Sequence, residues 1–101
     1  MRYFTWDKNK ARANIRKHGI DFETAAQVFN DPLAVRNFDQ NVDGEIRWRT
    51  TGRVKNSLLV LVAHTTEEEE SNEYVRIISA RPALAHEREQ YYAENRGLGL
   101  L

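Results

Sequence analysis

Two arginines five positions apart, Arg76 and Arg81, close the segment Tyr74-Val-Arg-Ile-Ile-Ser-Ala-Arg81. A guanidinium can hold two phosphate oxygens at once, so a pair of them is a reasonable start on a phosphate site. The segment alternates apolar and polar residues and is rich in β-branched side chains, which suits a half-buried strand. Alternation puts Val75, Ile77 and Ser79 on one face, and Tyr74, Arg76, Ile78 and Ala80 on the other. Arg81 arrives at the strand tip. A second alternating segment, 45–53, sets Ile46, Trp48 and Thr50 against Arg47, Arg49 and Thr51. With the apolar sets packed inward, Arg47, Arg49 and Arg76 would project together from the opposite side. Such a face suits a polyanion.

These strands need a scaffold, and the rest of the chain supplies one. Residues 2–6 are aromatic-rich and read as an irregular lead-in or a brief strand. Thr5 or Asp7 caps a helix over 8–18, with Ala11, Ile15 and His18 as its apolar stripe and Gly19 as its stop. Lys8, Lys10, Arg12, Asn14, Arg16 and Lys17 cover the remainder. Asp21 caps a second helix to about residue 29, whose Phe22, Ala25, Ala26 and Phe29 follow the helical period. Beyond Asn30-Asp-Pro32 the period turns toward two. Strands are expected over 33–38, 45–53, 58–65 and 74–81, with the third apolar on both sides and therefore central. Glu67–Glu70 with Ser71-Asn72 reads as a solvated hairpin loop. A last helix runs over 82–95, with Leu84, Arg88 and Tyr91 along one side, followed by the apolar tail 98–101. The expectation is a single α+β domain over 1–101: two N-terminal helices, a four-stranded antiparallel sheet and a C-terminal helix.

Bulk properties narrow the function classes. At 101 residues, 41% hydrophobic and 30% charged, the chain fits one globular core. It has no cysteine, hence no disulfide and no thiolate metal site, and His18, His64 and His86 lack metal-ligand spacing. No metal and no cofactor are expected. Without an apolar run of membrane-spanning length or a signal-peptide pattern, the expected location is the cytoplasm, away from membranes. The formal charge of zero hides an uneven layout. Five of the 15 acidic residues lie in Glu67–Glu70 and Glu73, leaving ten against 15 basic residues elsewhere.

The pattern resembles a known family. Trp6-Asp7, Lys10, Asn14, Lys17-His18-Gly19, Phe22, Ala25 and Asp31-Pro32 are similar to the opening of BrnT-type toxins. Gly44-Glu45, Arg47, Gly52, the segment 60–64, Arg76-Ile-Ile-Ser-Ala-Arg81 and Glu87-Arg88 with Tyr91 resemble the remainder. Pro82 departs from the basic residue expected there, and the acidic hairpin looks longer than usual. The resemblance implies a RelE-like fold and a type II toxin–antitoxin ribonuclease that cuts RNA without metal and halts translation. It also implies a ribbon-helix-helix antitoxin, BrnA-like, through which alone operator DNA would be bound.

Metal-free RNA cleavage uses the ribose 2′-hydroxyl as nucleophile, so a base, an acid and charge stabilisation are required. On that reading Arg76 and Arg81 stabilise the phosphorane, their alternative being ordinary ion pairs with neighbouring strands. His64 is an acid or base candidate, or else a core or rim histidine. Tyr91 is a proton donor or stacking platform, or simply packs its helix down. Glu45 is a base candidate, or the partner that neutralises Arg47 or Arg76. Arg47, Arg49, Lys10 and Lys17 are RNA-binding candidates, with a solvated basic face as the alternative for the two lysines. A non-catalytic RNA- or ribosome-binding module is the competing function.

Overall fold

The computed structural model describes residues 1–96, apart from the side chain of residue 56; the tail 98–101 lies outside the described residues. In chain order it contains β1 (Arg2–Trp6), α1 (Lys8–His18), α2 (Phe22–Ala26), a 3-10 turn (Gln27–Asn30), β2 (Val35–Val42) and β3 (Glu45–Arg53). A 3-10 turn (Lys55–Ser57), β4 (Leu59–Glu69), β5 (Asn72–Pro82) and α3 (Ala85–Arg96) follow.

The sheet has five strands in the order β1-β5-β4-β3-β2, not four. The expected four are antiparallel to their neighbours, whereas β1 adds a parallel edge, Arg2 opposite Glu73 through Trp6 opposite Ile77. The architecture is therefore α+β with a mixed sheet. The lead-in becomes a strand because Phe4 and Trp6 alternate inward, where they meet Phe29 and Phe22 respectively. Burying those rings supplies the gain that a five-residue segment lacks by itself.

The acidic run also differs from expectation. Glu67 to Glu69 are strand residues, and the hairpin closes at Glu70 and Ser71, both at positive φ (50° and 70°). Two left-handed residues make a tight connection whose twist matches the strands it joins. Asp43 and Gly44 (φ 51° and 90°) do the same between β2 and β3.

Each sheet face has its own core. On one side Phe22, Ala25, Val28 and Phe29 pack over Val60, Val62, Val75, Ile77 and Ala80, with Phe22, Ala25 and Phe29 using the apolar positions expected of the second helix. The close approach of the 3-10 turn depends on Gly52, where a Cβ would fall 2.9 Å from the Val28 carbonyl oxygen. On the other side Val35, Leu59, Ala83 and Tyr91 form a smaller cluster under α3. Alternate residues of β4 thus feed two cores, as expected for a central strand apolar on both faces.

The helix faces depart from the simple stripes. On α1 the buried residue is Asn14, while Ile15 is 48% exposed. On α3 the buried residues are Glu87, Tyr91 and Asn95, spaced i, i+4, i+8, while Leu84 is exposed. In both helices the inward residue is polar and hydrogen-bonded, a pattern that hydrophobic periodicity cannot detect. Among the described residues no helix is long and apolar enough to cross a membrane.

Candidate functional site

The face opposite α1 and α2 is only partly covered, since α3 sits over the Leu59–Val35 end. What remains open carries the arginines. A bulge in β5 shapes it. His64 pairs with Ile77 and Ala63 with Ser79, so Ile78 is an extra residue and the alternation slips by one. Ala80 consequently joins Val75 and Ile77 in the core, and Ser79 does not. The same slip turns Arg81 to the side that already holds Arg76, a coincidence that straight alternation would forbid.

Arg76 and Arg47 converge on one carboxylate. Arg76 donates from Nη2 and Nη1 to Glu45 Oε1 and Oε2 (2.7 and 3.2 Å), and Arg47 Nε lies 3.5 Å from Oε1. The hydrogen bond from Arg76 holds the Glu45 carboxyl below the usual range, so it is ionised at neutral pH. Both side chains remain accessible, 45% for Arg76 and 41% for Glu45. An exposed pair of this kind contributes little to stability and yields readily to a competing anion. Arg49 Nε lies 3.6 Å from Asp39 Oδ1, within ion-pair reach but too far for a hydrogen bond.

Arg81 is held differently. It donates to both Glu87 oxygens (2.8 and 2.9 Å), and the same carboxylate accepts from Leu84 N–H at the start of α3. That arrangement is half of a capping box. Glu87 is 6% exposed, and its pKa is pulled down by the Arg81 hydrogen bonds. Arg81 is accordingly an anchor between β5 and α3 before it is anything else. Beside it a groove of about 440 Å³ runs between α1 and β5, lined by Lys10, Asn14, Lys17, His18, Ser79 and Arg81 among others.

The groove exists because β1 stops early. It pairs with β5 only as far as Ile77, which leaves the β5 edge open at Ala80. Asn14 closes that gap. Its Nδ2 donates to the carbonyls of Ala80 and Ile20 (2.8 and 2.9 Å), and its Oδ1 accepts from Ala80 N–H (3.0 Å). A side-chain amide thus stands in for a neighbouring strand's peptide, satisfying a buried edge.

The structure does not bring every candidate together. Arg47, Arg49, Arg76 and Glu45 share the open face, while Lys10, Lys17 and Arg81 meet in the adjoining groove. His64 faces the opposite way, into the helix-covered core, fully buried. Its ring packs edge-on against Phe29, with Nε2 2.7 Å from Thr50 Oγ1 and Nδ1 3.1 Å from the Thr65 carbonyl. Burial pushes its pKa down to about 4. Tyr91 is buried under α3 and donates to Asp31 Oδ2 (2.7 Å); burial first and the Asp31 hydrogen bond second raise its pKa to about 12. Asp31 also accepts from the backbone N–H groups of Leu33 and Arg53. Both aromatic candidates are therefore core residues by position. A larger concavity of about 550 Å³ at Arg2, Arg36 and Glu73 lies on the helix-bearing side, where both arginines already share Glu73. Among the described residues no three His, Asp or Glu side chains are grouped to hold a metal ion.

Residues 6–87 match the family model of the ribonuclease toxin, BrnT, of type II toxin–antitoxin systems. The chain belongs to the BrnT family. The matched span begins at Trp6, the last residue of β1, and ends at Glu87, so it takes in the arginine face, the groove and the Arg81 anchor. The crystal structure of the Brucella abortus ribonuclease toxin BrnT is similar in fold, with a TM-score of 0.56 and 24% identity. The likeness covers 83% of this chain and 97% of that one. A comparison with curated proteins gives no match. BrnT membership makes this a toxin of the ribonuclease class and implies a cognate antitoxin. Asn14, Ser79, Tyr3 and Tyr74 were not among the residues singled out for chemistry; the Asn14 and Ser79 positions fall within the family pattern, which was the available signal.

Proposed function

We propose that the open arginine face cleaves RNA by attack of a ribose 2′-hydroxyl on the adjacent phosphate, without a metal. Arg76, with Arg47 beside it, exchanges its contact with Glu45 for the phosphate oxygens and stabilises the charge that builds on phosphorus. Glu45, ionised and released by that exchange, takes the 2′-hydroxyl proton. The new O–P bond displaces the 5′-oxygen, which takes a proton from water on this open surface. The products are a 2′,3′-cyclic phosphate and a 5′-hydroxyl. Lys10 and Lys17 guide the backbone by charge, and Arg49 extends the cationic track across the sheet.

The observation that carries this reading is the convergence of Arg76 and Arg47 on one exposed, ionised carboxylate. In this scheme the protein acts in the cytoplasm, cleavage stops translation, and a ribbon-helix-helix antitoxin of BrnA type neutralises it by covering the same face with an acidic segment. Operator DNA is then reached only through that antitoxin. The test is incubation of purified protein with RNA in the presence of a chelator. Cleavage that Arg76→Ala abolishes supports the scheme, and cleavage that requires added divalent cation refutes its metal-free part. The existing carboxylate partners of Arg47, Arg49, Arg76 and Arg81 favour one competing reading, a module that binds RNA without cutting it. RNA binding with no product under any condition would establish that alternative.

A further inference from the structure

The parallel pairing of β1 with β5 sets Tyr3 opposite Tyr74. Their rings stack, with centroids 5.3 Å apart and planes within 17° of parallel. Both stay 40% exposed or more. Alternation puts Tyr74 on the same face as Arg76, two residues along the strand and therefore about 7 Å away. That separation is comparable to the reach from a nucleotide's phosphate to its base. Between the two lies a small groove of about 180 Å³, lined by Thr5, Thr65, Glu67, Tyr74, Val75 and Arg76.

We infer that the Tyr3–Tyr74 pair is a stacking platform for a base of single-stranded RNA whose phosphate is held at Arg76. The inference rests on the RNA-cleaving reading above and adds to it a base subsite. Exposed aromatic rings beside a guanidinium are the two components that unpaired nucleic acid engages, the ring taking a base face and the cation its phosphate. Charge orients the strand. Glu67, opposite Tyr74 in the sheet register, repels phosphate at the aromatic end, so the base and not the backbone lies over the rings. Thr5 and Thr65 flank Arg76 on the two neighbouring strands, so their side chains border the phosphate end of the groove. The alternative is that the stack only stabilises an edge strand, as cross-strand aromatic pairs do.

The experiment compares two oligoribonucleotides of equal length and charge, one intact and one abasic at every position, with cleavage prevented by a 2′-O-methyl backbone. The full chain is expected to bind the intact one roughly 5- to 150-fold more tightly, the range for one stacked base. Tyr74→Leu should bring the two affinities together while leaving binding of the abasic strand and its salt dependence unchanged. Tyr74→Phe, which keeps a ring, should keep the preference, and this rescue separates a platform from a mere packing role. A preference that survives Tyr74→Leu and Tyr3→Ala overturns the platform, as does equal binding of the two oligonucleotides by the unaltered chain. If the unaltered chain binds neither, it is the RNA-cleaving reading that fails, and the platform with it.

Discussion

Replacing Asn14 by alanine removes three hydrogen bonds at once from a residue that is 6% exposed. The Ala80 N–H and the carbonyls of Ala80 and Ile20 are left without partners. A buried polar group deprived of its partner costs roughly 1–3 kcal/mol. Water from the neighbouring groove recovers part of that, so the expected loss is about 3–4 kcal/mol. A domain of this size loses roughly 4–8 °C per kcal/mol, so the melting temperature should fall by on the order of 20 °C. Asn14→Asp sharpens the reasoning. It is nearly isosteric and keeps the acceptor for Ala80 N–H, yet it aims a carboxylate oxygen at two carbonyls where the amide donated. If the side chain truly replaces a strand's peptide group, Asn14→Asp must be the worse variant at neutral pH. Thermal unfolding followed by circular dichroism measures both. A loss below about 1 kcal/mol for Asn14→Ala, or Asn14→Asp more stable than Asn14→Ala, would refute the account.

Three further outcomes follow from the same geometry. Tyr91→Phe should cost about 1 kcal/mol, because Asp31 keeps its two backbone donors, and should leave RNA cleavage per folded molecule unchanged; a large loss of turnover at intact stability would return Tyr91 to the chemistry. His64 stays neutral in the fold until about pH 4, whereas in the unfolded chain it takes a proton near 6.5. Its contribution is therefore complete above pH 6.5 and is lost as pH falls toward 4, by on the order of 3 kcal/mol. Denaturant melts at pH 7.5 and 4.5 should show a smaller drop for His64→Leu than for the unaltered chain, and equal drops would contradict the buried neutral ring. Glu87→Gln weakens the clamp on Arg81, so RNA binding should become more salt-dependent, by about 0.7 in the log–log slope for one added phosphate contact. An unchanged slope would mean that Arg81 does not reach RNA even when released.

Residues 45–53 and 74–81 were legible as strands because their alternation is local and their apolar residues are β-branched. The capping role of Asp21 was equally plain, while Thr5 and Asp7 were both candidates for the first helix; the structure selects Asp7, and both aspartates accept from first-turn N–H groups. What sequence could not yield depends on partners far away in the chain. β1 is a strand only because β5 offers an edge to it. The slip at Ile78 has no local signature, yet it decides which side Arg81 serves. Asn14 looks like one more polar residue on a basic helix until the unpaired edge at Ala80 is seen. His64 reads as a titrating group at a strand end, but its position is inward-facing beneath Phe29. Arginines on one face were foreseeable by counting in twos, and Glu45 as a partner for Arg47 or Arg76 was among the readings the sequence offered. That one carboxylate holds both at once, joining β3 to β5 across β4, was not foreseeable.

The parallel contact between Arg2–Trp6 and Glu73–Ile77 spans some 71 residues of chain. A nascent polypeptide therefore carries its first strand unmated until nearly all of the remainder has been synthesised. The Tyr3–Tyr74 stack cannot form earlier, and such long loop closure slows the final step of folding. For a toxin of this family, late completion means that the full sheet exists only once nearly the whole chain has been made.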